Sequence, residues 1–236
     1  MKIINLERVI KHKTTREWVE ALIFALIVAL VFRTWIYSPF KVPTGSMIPT
    51  IEIGDHLFAD MNHYGFVIPF TGQKIFKAEI HKGEVVIFPF PGNPVECDGY
   101  FFPTFDTLKS MVGGLVGAGG NPVCQDFIKR VVATSGDHLV IKGEEVTVND
   151  QPEKGYTPYF SPREGPALVD IDVVVPEGKI FVMGDNRRNS HDSRYWGYVD
   201  KENVRARAGM IFISFNPNSS GITDGIRWDR IGNTFN

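Results

Sequence analysis

The sequence predicts a mainly β protein, a barrel or folded antiparallel sheet, that follows one N-terminal transmembrane helix. Two observations support this prediction: an apolar run at 18–36 and, after it, several short strand-like segments separated by Gly, Pro, Asn and Asp. Hydrophobic residues make up 43% of the 236-residue chain, which is enough for a packed core. The net charge of −2 gives no basic surface of the kind that binds nucleic acid, so we expect no nucleic-acid partner.

The apolar run at 18–36 has the length of a membrane-spanning helix. It contains 19 residues, close to the ~20 that cross a bilayer. Its charged residues, Glu20 and Arg33, lie near the two ends, where long side chains reach the interface. Five basic and two acidic residues precede it, and this positive excess places the N-terminus in the cytoplasm.

The predicted organisation therefore has three parts. Residues 1–17 form a cytoplasmic segment, 18–37 a transmembrane anchor, and 38–236 an extracytoplasmic β domain. The alternative is a cleaved secretory signal. The anchor is favoured because the apolar run is long for a signal and no small-x-small pattern follows it.

Short segments rich in β-branched and aromatic residues predict the strands of the β domain. Val42–Thr50 is expected to be extended and to be punctuated by two prolines, and Gly54-Asp55 is expected to be a structural turn. The further predicted strands are 84–88, 128–133, 138–142, 145–148, 171–175, 179–183 and 205–215. The turn at 149–152 and the Pro-Glu-Gly turn at 176–178 separate neighbouring strands.

Residues 89–126 interrupt this pattern and are interpreted as an insertion loop. They contain several aromatic residues, a Gly-rich stretch at 113–120, and a segment at 105–112 that is compatible with a short helix. The Gly-rich stretch lacks the Lys-Ser/Thr pair of a phosphate-binding P-loop. The two cysteines, Cys97 and Cys124, lie in this insertion; a disulfide is favoured outside the cytoplasm, and two free thiols remain the alternative. Their spacing and the lack of clustered histidines argue against a metal site.

Three polar segments carry the candidate chemistry. They are PTGSMIPT around Ser46, FIKRVV around Lys129, and GDNRRNSHDSRYWG at 184–197. A serine hydroxyl becomes a strong nucleophile only when a base takes its proton. Lysine can be that base if burial against apolar neighbours keeps it neutral. Because successive residues of a strand face opposite sides, one of Lys129 and Arg130 can be buried while the other is solvated.

The turn around Ser46 suits a nucleophile. We expect Gly45 to permit an unusual backbone angle and a close approach of substrate. Pro43 and Pro49 stiffen the two sides of the turn.

Together, these segments resemble the active site of the bacterial type I signal peptidases. The resemblance implies a catalytic fold of coiled antiparallel sheets and a Ser46–Lys129 dyad. It implies that Thr44, where the family often has serine, supplies an oxyanion-binding hydroxyl beside the Ser46 N–H. It further implies that Ser190 orients the lysine and that Asp192 and Arg194 form a supporting ion pair. Asp185 and Arg187 would help to fix the loop.

The predicted function is therefore that of a membrane-anchored serine endopeptidase. It would remove N-terminal signal peptides from exported preproteins at the outer face of the cytoplasmic membrane, with the lipid bilayer as a partner and without a metal or organic cofactor. One alternative is a specialised peptidase of the same chemistry that processes a pilus or conjugation substrate. Another is a noncatalytic, membrane-anchored β domain that binds exported chains. The sequence makes no prediction about the oligomeric state or the preferred preproteins.

Overall fold

The computed structural model describes residues 15–25, 37–67, 74–75, 77–91, 126–162, 169–219 and 225–235. Within these ranges the protein is mainly β, and its sheets are antiparallel, as predicted. The strands in chain order are β1 Tyr37–Lys41, β2 Asp55–Asp60, β3 Phe66–Val67, β4 Lys74–Ile75, β5 Val85–Pro89, β6 Asp126–Thr134, β7 His138–Lys142, β8 Glu145–Val148, β9 Gln151–Pro152, β10 Ile171–Val174, β11 Lys179–Met183, β12 Val199–Asp200 and β13 Ala206–Ser214. A helix, α1, covers 15–25, and a single-turn helix, α2, covers Ser193–Trp196.

The largest sheet has seven strands in the order β1-β2-β13-β5-β6-β11-β12. Strands β1 and β12 are its edges, so the sheet does not close into a barrel within the described strands. The last strand, β13, lies between β2 and β5 and pairs with both. Strand β6 lies between β5 and β11, which places Lys129 inside the sheet rather than at an edge.

Two smaller sheets complete the described structure. One has the order β10-β7-β8-β9 and packs its apolar face against β6 and β11 in a shared core. The other is the hairpin of β3 and β4. The turn between β8 and β9 contains Asn149 and Asp150, both with positive φ. Asn and Asp tolerate this conformation better than other non-glycine residues, and for this reason the turn could be predicted from the sequence.

The predicted strands from 84 onward are confirmed, with boundaries shifted by at most two residues. The prediction of an extended segment at Val42–Thr50 is wrong: residues 45–51 form turns. Two of these residues, Met47 and Ile51, are buried in the core beside Leu57, and this burial bends the chain back instead of extending it. Strand β2 was not predicted: its first residue, Asp55, was assigned to a turn with Gly54, although burial alternates regularly along the strand.

The predicted anchor at 18–37 is only partly within the described ranges. Residues 18–25 lie in α1, where Trp18, Leu22 and Phe24 are each more than 60% exposed, whereas 26–36 lie outside the described residues. Of the helices within the described ranges, none is both long enough and apolar enough to span a bilayer. Tyr37 begins β1, so the β domain starts at the predicted end of the anchor. Most of the predicted insertion, including both cysteines and the 105–112 segment, also lies outside the described residues.

Candidate active site

Ser46 lies in the turn that connects β1 to β2. The turn is fixed from inside by Met47 and Ile51, which are fully buried, and the Ile51 N–H donates to the Met47 carbonyl at 2.9 Å. Ser46 itself is only 9% exposed. This arrangement holds the serine at the surface of the core with little freedom to move.

The role expected for Gly45 is only partly supported. Its φ lies outside the left-handed region, so the prediction of an unusual backbone angle is wrong. A Cβ at this position would lie 2.9 Å from the Cδ1 atom of Ile48, a flexible side-chain tip. Gly45 therefore leaves room beside the serine but does not make a strained turn.

Lys129 reaches Ser46 from strand β6. Its residue is 4% exposed, and its Nζ lies 2.6 Å from the Ser46 Oγ. Strand pairing explains the position: Lys129 is opposite Val86 of β5, in the interior of the large sheet. The Phe127 ring, two residues earlier on the same strand, lies 5.6 Å from the Nζ and adds to its apolar surroundings. The structure thus brings together the two residues of the predicted dyad.

Burial lowers the pKa of Lys129 from 10.5 to about 8. Loss of water penalises the ammonium form and is the largest cause. The carboxylates of Asp192 and Asp185 oppose this by favouring the charged form, whereas the Arg194 guanidinium disfavours it. Because desolvation is the largest of these effects, burial decides the direction of the shift.

Arg130 is buried as well as Lys129, so the prediction from strand alternation that one of the two is solvated is wrong. It is 2% exposed and donates to both carboxylate oxygens of Asp185 at 2.7 and 2.8 Å. It also donates to the Gly83 carbonyl at 2.6 Å, and its guanidinium lies 4.3 Å from the centre of the Tyr156 ring. The prediction failed because both faces of β6 are covered, one of them by the polar segment that begins at Gly184.

That polar segment contacts the serine turn directly. The Asn186 N–H donates to the Ser46 carbonyl at 3.0 Å, and its side-chain amide donates to the Gly45 carbonyl at 3.1 Å. Gly184 is required by the same close approach, because a Cβ there would lie 2.4 Å from the Ser46 carbonyl oxygen and 2.3 Å from the Ser190 Oγ. Both distances are too short for any side chain.

The remaining predicted site residues differ in their surroundings. Asp192 and Arg194 form a buried ion pair, with 2.8 and 2.9 Å between the guanidinium nitrogens and the two carboxylate oxygens. Ser190 is 4% exposed, and its Oγ has no hydrogen-bond partner among the described residues. Thr44 is exposed, two residues before Ser46.

Arg187 lies in a buried polar cluster that the sequence did not indicate. It is 2% exposed and donates to Glu153 at 2.6 Å and to the Tyr156 hydroxyl at 3.0 Å. Burial, assisted by the Glu153 carboxylate, raises the pKa of Tyr156 well above its ordinary value, so it stays protonated. Glu153 and Tyr156 follow β9 in a segment without a recognisable motif, so no sequence signal marked them.

Thr50 and Asn186 are also contact residues that the sequence analysis did not single out. Both lie inside the polar segments that were recognised, so the signal was present but not assigned to them. Among the described residues, no group of three or more His, Cys, Asp and Glu side chains is arranged to hold a metal ion.

Comparison with known proteins finds one family and several relatives that resemble this chain. The model of the family described as signal peptidase, peptidase S26, matches residues 15–213. A signal peptidase I of Buchnera aphidicola (subsp. Schizaphis graminum) is 28% identical over 88% of this chain and 78% of its own length. A signal peptidase I of Leptolyngbya laminosa is 30% identical over 85% of this chain and 80% of its own. The crystal structure of a signal peptidase I from Enterococcus faecalis covers 55% of this chain and 97% of its own, with 19% identity and a TM-score of 0.36.

The family match extends over most of the chain, from α1 to the last residues of β13. This chain therefore belongs to the signal peptidase family, a family of peptidases.

Proposed function

We propose that this protein is a membrane-anchored serine endopeptidase that removes signal peptides from exported preproteins with a Ser46–Lys129 dyad. The observation that carries the proposal is the 2.6 Å contact between the Lys129 Nζ and the Ser46 Oγ, made by two buried side chains. A buried lysine with a pKa of about 8 is neutral often enough near pH 7 to act as a base. Membership of a peptidase family supports the same reaction.

The proposed reaction has two steps. Neutral Lys129 takes the Ser46 proton as the Oγ attacks the carbonyl carbon of the peptide bond, and the resulting ammonium then protonates the leaving amine. This leaves the signal peptide as an ester on Ser46 and regenerates neutral Lys129. Lys129 then takes a proton from a water molecule that attacks the ester, and it returns this proton to the Ser46 Oγ as the ester bond breaks and the signal peptide leaves. No step in this scheme needs a metal or an organic cofactor.

The oxyanion that forms in each step needs hydrogen-bond donors that are in place beforehand. We assign this role to the Ser46 N–H and the Thr44 hydroxyl. Thr44 is exposed and lies two residues before the nucleophile. Ser190 is buried, and its Oγ lies beside Gly184, which also packs against the Ser46 carbonyl. We assign Ser190 to orient the lysine amine. The Asp192–Arg194 pair is assigned to support that loop.

The proposed location is the cytoplasmic membrane, with the N-terminus in the cytoplasm, a single span at 18–37, and the β domain outside. From Tyr37 to Ser46 the chain advances nine residues, an extended reach of at most ~30 Å. Ser46 therefore stays close to the bilayer in which the apolar helix of a signal peptide is embedded. Protease protection tests this topology: a C-terminal tag should be digested in spheroplasts and protected in inverted vesicles, and the reverse result would refute it.

Cleavage of a preprotein by the purified full chain in detergent tests the reaction. Ser46→Ala and Lys129→Arg should both abolish cleavage, because the first removes the nucleophile and the second replaces the base with a group that cannot deprotonate. The matched controls, Ser135→Ala and Lys179→Arg, make the same substitutions outside the site. Ser135 donates to the Lys179 carbonyl, and the Lys179 side chain pairs with Asp200.

The controls should keep normal activity. Near-normal cleavage by either dyad variant would refute the dyad. A panel of ordinary preproteins belongs in the same assay, since cleavage of only a few of them would favour the specialised peptidase.

A further inference from the structure

Thr50 closes the serine turn and has polar contacts on two sides. Its hydroxyl donates to the Asp185 Oδ2 at 2.5 Å, and its carbonyl accepts from the Arg230 guanidinium at 3.2 Å. Thr50 is half-buried and lies four residues after Ser46. It therefore connects the turn that carries the nucleophile to two separate parts of the chain.

The hydroxyl contact leads directly to the strand that carries the lysine. Asp185 accepts the Thr50 hydroxyl at Oδ2 and also accepts two hydrogen bonds from Arg130, one at each carboxylate oxygen. The side chains of Arg130 and Asp185 are 3% and 1% exposed, so this pair is shielded from water. Arg130 is the immediate neighbour of Lys129 on β6. Thr50, Asp185 and Arg130 thus form a continuous series of charge-assisted hydrogen bonds from the serine turn to the lysine strand.

The segment at 184–186 holds the serine turn at two points. The first is close to the nucleophile, where Asn186 donates to the carbonyls of Ser46 and Gly45. The second is the Thr50–Asp185 contact at the other end of the turn. Buried Met47 and Ile51 hold the turn from inside, and the two polar attachments to 184–186 hold it at both ends. The direction of the Ser46 Oγ toward the Lys129 Nζ therefore depends on both.

We propose that Thr50 is a positioning residue whose hydroxyl, through Asp185 and Arg130, sets the orientation of Ser46 toward Lys129. This inference rests on the proposed dyad. Loss of the hydroxyl removes the contact with Asp185 and lets the turn move relative to β6. Small displacements of reacting groups cost catalysis rather than ground-state binding. The effect should therefore be a fall in kcat with little change in KM.

The test compares Thr50→Val with Thr50→Ser in the purified full chain in detergent. The substrate is a preprotein with small residues at the third and first positions before the cleavage site. Valine keeps the branched shape and removes the hydroxyl, whereas serine keeps the hydroxyl. We expect Thr50→Val to lower kcat on the order of 10- to 100-fold, the effect of losing a hydrogen bond to a charged group. KM should stay within about twofold, and Thr50→Ser should restore most of the lost kcat.

The matched control is Thr147→Val, which removes a part-buried hydroxyl from β8 in the small sheet. Its kcat should equal that of the unmodified protein. Thermal unfolding of every variant, followed by circular dichroism, gives the folded fraction in the assay. If Thr50→Val keeps its kcat, or if kcat in the three variants only follows the folded fraction, the proposal is overturned.

The same assay separates this inference from the proposed function. Ser46→Ala and Lys129→Arg should show no cleavage whatever the role of Thr50. If either remains active, the dyad itself is wrong. If both are inactive while Thr50→Val is normal, the dyad stands and only the role of Thr50 fails.

Discussion

Raising the pH should activate the proposed catalytic base, because Lys129 can accept the Ser46 proton only in its neutral form. The perturbation is a pH series from about 6 to about 10, a range that spans the lowered pKa of this residue. The sign is fixed by the chemistry: below the pKa the amine is protonated and inactive, and above it the amine is free. The rate should therefore rise with pH and then level off.

The magnitude follows from the pKa of about 8 that burial gives to Lys129. A lysine with this pKa is neutral in about 9% of molecules at pH 7, whereas a lysine at 10.5 is neutral in about 0.03%, a difference of roughly 300-fold. The value of kcat/KM should rise about ninefold from pH 6 to 7 and about fivefold from pH 7 to 8. Between pH 8 and 9 the rise should be only about twofold, and a plateau should follow.

The assay measures kcat/KM for one preprotein at constant ionic strength, because this ratio reports the ionisation of the free enzyme. The substrate should carry no titratable residue near the cleavage site, and intrinsic fluorescence should confirm folding at each pH. A plateau already reached below about pH 6 would refute lysine as the base. If kcat/KM instead rises around pH 10.5, the ordinary pKa of lysine, burial does not lower the pKa of Lys129.

Three further predictions concern the charges of the site. The pKa of Lys129 is lower in the folded chain than in the unfolded chain, so the folded protein gains stability as pH rises from about 8 to 10.5. Relative to Lys129→Met, the free energy of unfolding of the unmodified protein should therefore rise by about 3 kcal/mol between pH 7 and 10.5. Asp192→Asn removes the charge that most favours protonation of Lys129 and leaves an unpaired guanidinium nearby, so the rising limb of kcat/KM should move to lower pH. Arg230→Met removes two hydrogen bonds from the fully buried Asp55, which keeps Arg227 and Ser214 as partners, and should destabilise the fold by about 2 kcal/mol.

Urea unfolding at several pH values and the pH–rate series measure these effects. For Lys129→Met, a stability difference that is constant with pH would contradict the linkage. For Asp192→Asn, a limb that moves to higher pH would contradict the assigned charges. The control for Arg230→Met is Arg188→Met, which breaks the exposed pair with Glu144 and should cost less than about 1 kcal/mol. Equal losses for the two arginines would contradict the role of burial.

The local elements were predictable because each has its own pattern. The strand at 179–183 and the hairpin at 138–148 are continuous apolar or alternating segments that end at Gly, Asn or Asp, so their boundaries are encoded locally. The order of strands in the large sheet is not encoded in this way. Strand β13 pairs with β2 and β5 across more than a hundred residues of chain, and only the packing of their buried faces selects this arrangement.

The candidate site likewise has residues that the sequence identifies locally and features that only the packing determines. Ser46 and Lys129 could be found because their segments carry a motif, but the burial of Arg130 could not, because alternation along a strand does not reveal what covers each face. The extended conformation predicted for Val42–Thr50 failed for a similar reason. Its prolines favour extension, yet burial of Met47 and Ile51 in the core outweighs that preference.

The charge arrangement around Lys129 explains how a lysine can be the base in this site. Among the described residues it is the only buried lysine, and the buried arginines near it are all paired: Arg130 with Asp185, Arg187 with Glu153, and Arg194 with Asp192. Arg194 opposes the effect of its partner Asp192 on the amine, so the carboxylates hold a proton on Lys129 less strongly than they would alone. Desolvation then dominates and keeps the pKa low. A carboxylate left without its arginine would reverse this balance by favouring the ammonium form. The ion pairs therefore serve the proposed reaction by cancelling each other's charge as much as by holding the loop in place.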